Sequence, residues 1–169
     1  MQNAKDTFYI MLRARLAALN PARTAVVRGI TRPGVLVEEN ELVSAVELPN
    51  IFLLRWTTAK IDTQHPLPLV TLRCEAHYCT DGSSGNGGMD RGRLLAAMDA
   101  ELAGAVGQAP HNAAKMNYSG TVDGAAAAVP MATSIFWSDV AFGPITINGE
   151  RLERIATIDV FSYQEAGEL

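Results

Sequence analysis

Apolar side chains at Phe8, Met11, Leu12, Leu16 and Leu19 recur at steps of three and four, drawing one stripe along a helix. Asn20-Pro21 closes it, because a residue before proline is pushed out of the α region. The period then changes. Residues 24–29 read as a strand, Arg32-Pro33-Gly34 as a turn, and Val35-Leu36-Val37 as a short strand leading into an acidic segment. Residues 51–57 are apolar on both alternating faces over their first four positions, which suits a central strand or one whose outer face meets a partner. Residues 60–68 are polar and proline-containing and read as a loop.

The clearest strand is 69–79, where Val70, Leu72, Cys74, Ala76 and Tyr78 face one way and Thr71, Arg73, Glu75, His77 and Cys79 the other. A glycine-rich loop over 80–93 follows. Asp90 reads as the N-cap of a second helix carrying Leu94, Leu95, Met98, Leu102 and Val106, with stop signals at Gly107 and Pro110. Residues 108–130 show no sustained period and read as a long excursion, a form that often marks an interaction arm. Residues 132–140 and 151–163 are the last expected strands, joined around the tight-turn dipeptide Asn148-Gly149. No repeat or linker divides the chain, so residues 1–169 are expected to form a single α/β domain.

Composition adds limits. The 169 residues are 48% hydrophobic, enough for an adequate core. A net charge of −4 and a pI near 5.3 argue against a general nucleic-acid binder. No apolar run approaches the roughly 18–20 residues needed to cross a bilayer. The first apolar run is broken by Lys5, Asp6, Arg13 and Arg15, so no secretory signal is expected and a cytosolic site of synthesis is the simplest reading. Charge is uneven: residues 1–37 carry six bases against Asp6, and Glu38, Glu39, Glu41 and Glu47 follow without a base. Two solvated faces explain this; complementary edges of a self-associating subunit are the sharper alternative.

The candidate chemistry thins under inspection. Alternation puts Cys74 on the face opposite His77 and Cys79, and no second ligand pair exists, so no metal site is expected. His77 and Cys79 share a face two residues apart, which leaves a thiol site beside the 80–90 loop as the enzymatic alternative. His65 and His111 sit in proline-bearing loops with no motif around them. The glycine loop lacks the lysine of a P-loop and the spacing of a dinucleotide fingerprint, and Asp81 and Asp90 bring the wrong charge for phosphate. Asp99 and Glu101 read as ordinary surface charges, and Trp56 and Trp137 as core or interface aromatics. No cofactor is expected.

The order of elements carries more. A leading helix, strands and an acidic stretch are followed by Leu48-Pro49-Asn50-Ile51-Phe52-Leu53, then by 69–79 with its loop. A helix opening Met89-Asp90-Arg91-Gly92-Arg93-Leu94-Leu95 and a late strand pair ending Arg154-Ile-Ala-Thr-Ile-Asp-Val-Phe161 complete it. This order resembles the tail terminator (minor tail protein) group of tailed bacteriophages and prophages, across nearly the whole chain. The resemblance implies an α+β fold, with two main helices packed on a mixed, mainly antiparallel sheet. It also implies a non-catalytic subunit that forms a homo-oligomeric ring, with a hexamer among the expected sizes. Such a ring caps the tail tube and joins it to the head connector. It implies assembly in the bacterial cytoplasm and a final place in the virion tail, without nucleic-acid specificity or membrane. A head–tail connector or baseplate subunit belongs to the same structural class. The expected contact residues are Arg13, Arg15, Glu38, Glu39, Glu41, Arg91 and Arg93, with Ile51, Leu53, Trp137 and residues of 131–142 as apolar anchors.

Overall fold

A computed structural model describes residues 1–41, 48–64, 66–81, 85–121 and 127–168. Glu47, His65, positions 82–84 of the glycine loop and 122–126 of the excursion lie outside the described residues. In chain order the elements are α1 (Gln2–Leu19), β1 (Thr24–Val27), β2 (Ile30–Pro33), β3 (Val35–Val37), the short α2 (Glu38–Glu41), β4 (Phe52–Asp62) and β5 (Leu69–Cys79). They continue with α3 (Met89–Gly107), β6 (Asn112–Asn117), β7 (Val129–Trp137), β8 (Ala141–Asn148) and β9 (Arg151–Tyr163).

The main sheet runs β3-β4-β5-β9-β7-β6, and β8 also pairs with β9. β3 lies parallel to β4 and every other described pairing is antiparallel, so the fold is α+β with a mixed, mainly antiparallel sheet. β9 is long enough to serve two neighbours along one edge. Its Arg151–Thr157 stretch pairs with β8, and Val160–Ser162 pairs with β7. Its other edge pairs with β5 without a break from Leu69↔Tyr163 to Cys79↔Glu153.

Because side chains alternate, that ladder fixes which residues face the helices. Val70, Leu72, Cys74, Ala76 and Tyr78 of β5 stand beside Val160, Ile158 and Ala156 of β9 on the helix side, and all are buried. α1 sets Ala4, Phe8, Leu12 and Leu16 on this face, and α3 adds Leu95, Met98, Leu102 and Val106. Phe8 meets Trp56 and Trp137 edge-on, with centroids 6.0 and 5.8 Å away. Leu19 and Leu94, the ends of the two expected stripes, are exposed instead. Leu94 stands about 100° around α3 from the buried Leu95, and Leu19 is the last residue of α1.

The opposite, outer side of the sheet carries a small second core. Leu36 and Leu53 lie there with Ile51 beneath Ala25 and Val27 of the β1–β2 hairpin. The partner foreseen for the outer face of 51–57 is therefore the chain's own hairpin. Its turn is Arg28-Gly29, both at positive φ (51° and 79°), which is what a tight hairpin needs. Arg32-Pro33, read from sequence as a turn, lies in β2. Three further expectations change. β4 continues to Asp62, through part of the expected loop. The excursion contains β6, paired with β7. β8 fills the stretch between the last two expected strands, interrupted by a bulge between Phe142 and Ile145 that contains Gly143-Pro144. No Cβ fits at Gly143, since one would come within 2.8 Å of the Ile155 carbonyl oxygen.

Charges tie the elements together. Glu101 of α3 accepts from Arg23 Nε (2.7 Å), Arg23 Nη2 (2.8 Å) and Asn20 Nδ2 (2.8 Å), while Arg23 Nη1 donates to the Asn50 carbonyl at 2.6 Å. Asp99 accepts from Tyr78 and Arg154, both at 2.5 Å. Neither carboxylate is the ordinary surface charge that its spacing suggested; Asp99 is met from β5 and β9, and Glu101 from the connection between α1 and β1. Lys115 is fully buried and donates to the Tyr163 carbonyl and the Glu168 carboxylate, both at 2.6 Å, which pins the chain's last described turn to β6.

Replacing Lys115 by Met is expected to lower unfolding free energy in urea by about 3–5 kcal/mol, the usual cost of stranding one member of a buried pair. Burial alone would raise the carboxyl groups of Glu101 and Glu168. The hydrogen bonds of Arg23 and Asn20 to Glu101, and of the Glu165 N–H and Lys115 to Glu168, outweigh it and hold both below their ordinary 4.5. Depressed groups stabilise the fold fully above the unfolded value. Stability is therefore expected to fall as pH drops below 4.5, and Glu101→Gln should flatten that slope in a series of urea melts.

Candidate functional site

Two regions compete as the working surface: the outer face around His77 and Cys79, and the open edges of the sheet. β5 does place His77 and Cys79 together on the outer face, opposite Ile155 and Glu153 of β9. They line a cleft of about 70 Å³ with Thr146 and Glu153. That volume holds a few waters and is well short of the roughly 300–1,000 Å³ of a small-molecule site. His77 Nε2 sits 2.9 Å from Glu75 Oε2, so its ring is oriented by the neighbouring carboxylate. Cys79 is buried, and burial pushes its thiol up, away from the thiolate that nucleophilic attack needs. Cys74 lies on the helix side, its thiol raised further by the same cause. Among the described residues no group of His, Cys, Asp and Glu is placed to hold a metal ion.

The described part of the glycine loop winds through positive φ at Asn86 (51°), Gly87 (65°) and Gly88 (86°) into α3. Gly88 occupies the cap position expected for Asp90, which sits in the first helical turn and accepts from Asn86 Nδ2 at 2.9 Å. A carboxylate held there repels phosphate.

The expected contact residues scatter. Ile51, Leu53 and Trp137 retain only 4%, 1% and 4% of their surface, so they are core and cannot anchor a partner. Trp137 donates from Nε1 to the Val106 carbonyl at 3.0 Å and lies under the Arg15 guanidinium, 5.1 Å from its ring centre. Arg15 itself donates to the carbonyls of Ala105, Gln108 and Pro110, closing the C-terminal end of α3. The acidic run is matched inside the chain: Glu38 with Arg55, Glu39 with Lys5 at 3.3 Å, and Glu41 with Arg32. Arg91 pairs with Glu150, and Arg13 rests on the Tyr9 ring. Arg93 is exposed on α3. Glu38, Glu39 and Glu41 thus find bases within the chain, and Lys5, Arg23 and Arg32 of the six early bases find carboxylates.

What the structure leaves open is apolar. β8 is paired with β9 on one side and, among the described residues, with no strand on the other. Phe142, Ile145 and Ile147 project from it, with Ile147 79% exposed. Ile145 and Ile147 stand opposite Arg154 and Leu152, so they lie on the helix side, beyond the reach of α3. At the far edge β3 covers only Phe52–Leu54, and β4 from Thr57 to Asp62 faces no described strand. A groove of about 240 Å³ lies along this edge, floored by Trp56, Ala59 and Leu72 and flanked by Lys5. The sequence reading missed β8, although Ile145-Thr146-Ile147 before Asn148-Gly149 alternates as an edge strand entering a hairpin should.

The chain matches no protein-family model and no curated protein. No helix of the described residues is long and apolar enough to cross a membrane.

The thiol chemistry is directly testable. Cys79 in the native protein is expected to react with a disulfide reagent at pH 7.5 more slowly than free cysteine, and to react freely after unfolding. Fast native labelling below pH 8 would restore the enzymatic reading.

Proposed function

We propose that this chain is a structural tail protein of a bacteriophage or prophage, a terminator whose copies form a ring that caps the tail tube and meets the head connector. The observation that carries the proposal is the open sheet. Among the described residues, the sheet leaves unpaired strand edges at β4 and at β8, each with exposed apolar side chains on the helix side, and these offer two different patches for head-to-tail association. The α+β architecture agrees with what the family resemblance implies. Exposed ion pairs contribute only about 0–1 kcal/mol each, so a ring needs apolar anchors. Phe142, inside the expected 131–142 stretch, is exposed, and in this reading Ile145 and Ile147 join it in place of the buried Ile51, Leu53 and Trp137.

In this reading the protein acts by geometry and uses no cofactor. It assembles in the bacterial cytoplasm and ends in the virion tail, with itself, the tail-tube protein and the head connector as partners. A hexamer is the size that the resemblance favours.

Light scattering coupled to size exclusion, followed by negative-stain imaging, tests this. The expected outcome is a closed ring, alone or on adding the tail-tube protein of the phage or prophage that carries the gene, together with tubes of limited length. A strict monomer that leaves tube growth unchanged would sink the proposal.

A further inference from the structure

The open edges at β8 and β4 belong to one sheet, and their geometry makes them partners for each other. Along the path β4-β5-β9-β8 each neighbour is antiparallel to the last, so β8 runs opposite to β4. Place a second copy in the same orientation beside the first, and β8 of one meets β4 of the next antiparallel, the stronger pairing. The faces agree as well. Ala59 and Ile61 stand opposite Leu72 and Val70, on the helix side of β4, as Ile145 and Ile147 do on β8. Thr58, Lys60 and Asp62 lie on the outer side, as do Thr146 and Asn148. One register therefore sets apolar beside apolar and polar beside polar, and a one-residue slip would break both.

Shape follows the same rule. The projecting isoleucines of β8 are knobs, and the groove over Trp56, Ala59 and Leu72 at the β4 edge is a hole of about 240 Å³. We infer that the occupant of the β4 edge is the β8–β9 hairpin of a second copy of this chain, with Ile145 and Ile147 lodged beside Ala59 and Ile61. The sheet then continues from subunit to subunit. Self-pairing of β8 about a two-fold axis would also juxtapose isoleucines, but it leaves the β4 edge and its groove empty and stops at a dimer. The inference rests on the reading of the chain as a ring-forming subunit and names the surface that joins it.

Two variants separate the possibilities, Ile145→Lys/Ile147→Lys to block β8 and Ala59→Lys/Ile61→Lys to block β4. All four positions are exposed, so both proteins are expected to melt within a few degrees of the parent by circular dichroism. Ile147→Ser and Ala59→Asp replace them if either unfolds. Each variant alone is expected to be monomeric by light scattering, with or without tail-tube protein, and an equimolar mixture to form heterodimers that grow no further. That mixture result is specific to head-to-tail joining. Dimers of the β4-blocked variant alone would overturn the inference in favour of β8 self-pairing. Rings that persist in the β8-blocked variant would overturn it and leave the tail function standing. A parent that stays monomeric with and without tail-tube protein would overturn both. Parent rings that depend on both edges yet do not cap tubes would support the joint and remove the tail reading.

Discussion

The unbroken pairing of β5 with β9 is the constraint on which the rest depends. It runs from Leu69↔Tyr163 to Cys79↔Glu153 without a bulge, so every side chain along both strands has its face assigned. A shift by one residue would bury Arg73, Glu75 and His77 and expose Leu72, Cys74 and Ala76. The two helices have only one apolar face to cover, and they cover it together. The outer side keeps polar pairs such as Arg73 with Asp159, where Nε lies 3.0 Å from the carboxylate. It also keeps the stacked rings of Phe136 and Phe161, 5.3 Å apart.

How much of this could be read from sequence follows from the range of the forces involved. β5 and the stops of α1 and α3 are local matters of period, glycine and proline, and they were legible, whereas the cap of α3 falls at Gly88 and not at the expected Asp90. β2 was mistaken for a turn because Arg32-Pro33-Gly34 carries turn residues, whereas the chain reverses at Arg28-Gly29. β8 was hidden because Gly143-Pro144 interrupts its alternation. The candidate site fared worse, since exposure depends on what covers a residue. Ile51 and Leu53 look like a partner's landing place until the β1–β2 hairpin is laid over them. Period alone could not say that Asp99 and Glu101 would meet Arg154 and Arg23, residues far away along the chain.

Electrostatics accordingly plays an internal part. The bases near the start of the chain and the acids that follow them find one another within the subunit, as Lys5–Glu39 and Arg32–Glu41 show. Arg15, which looked free to greet a neighbour, holds the end of α3 and shields Trp137. With much of this charge engaged inside the subunit, the proposed joint depends on strand direction, face and fit.

The bulges at the β4 and β8 edges add a consequence of their own. In β4 the regular run resumes only at Thr58, and in β8 only at Ile145, where the hairpin turn is close. Each edge therefore presents a short template, the form by which sheets avoid unlimited growth. The proposed joint, being so brief, would be weak by itself and reversible. Were copies to join as we propose, closing a circle would add one joint without recruiting another subunit, at a high effective concentration. In the proposed ring, the circle would then be favoured over every open chain of the same material, and growth would halt at a fixed number of copies.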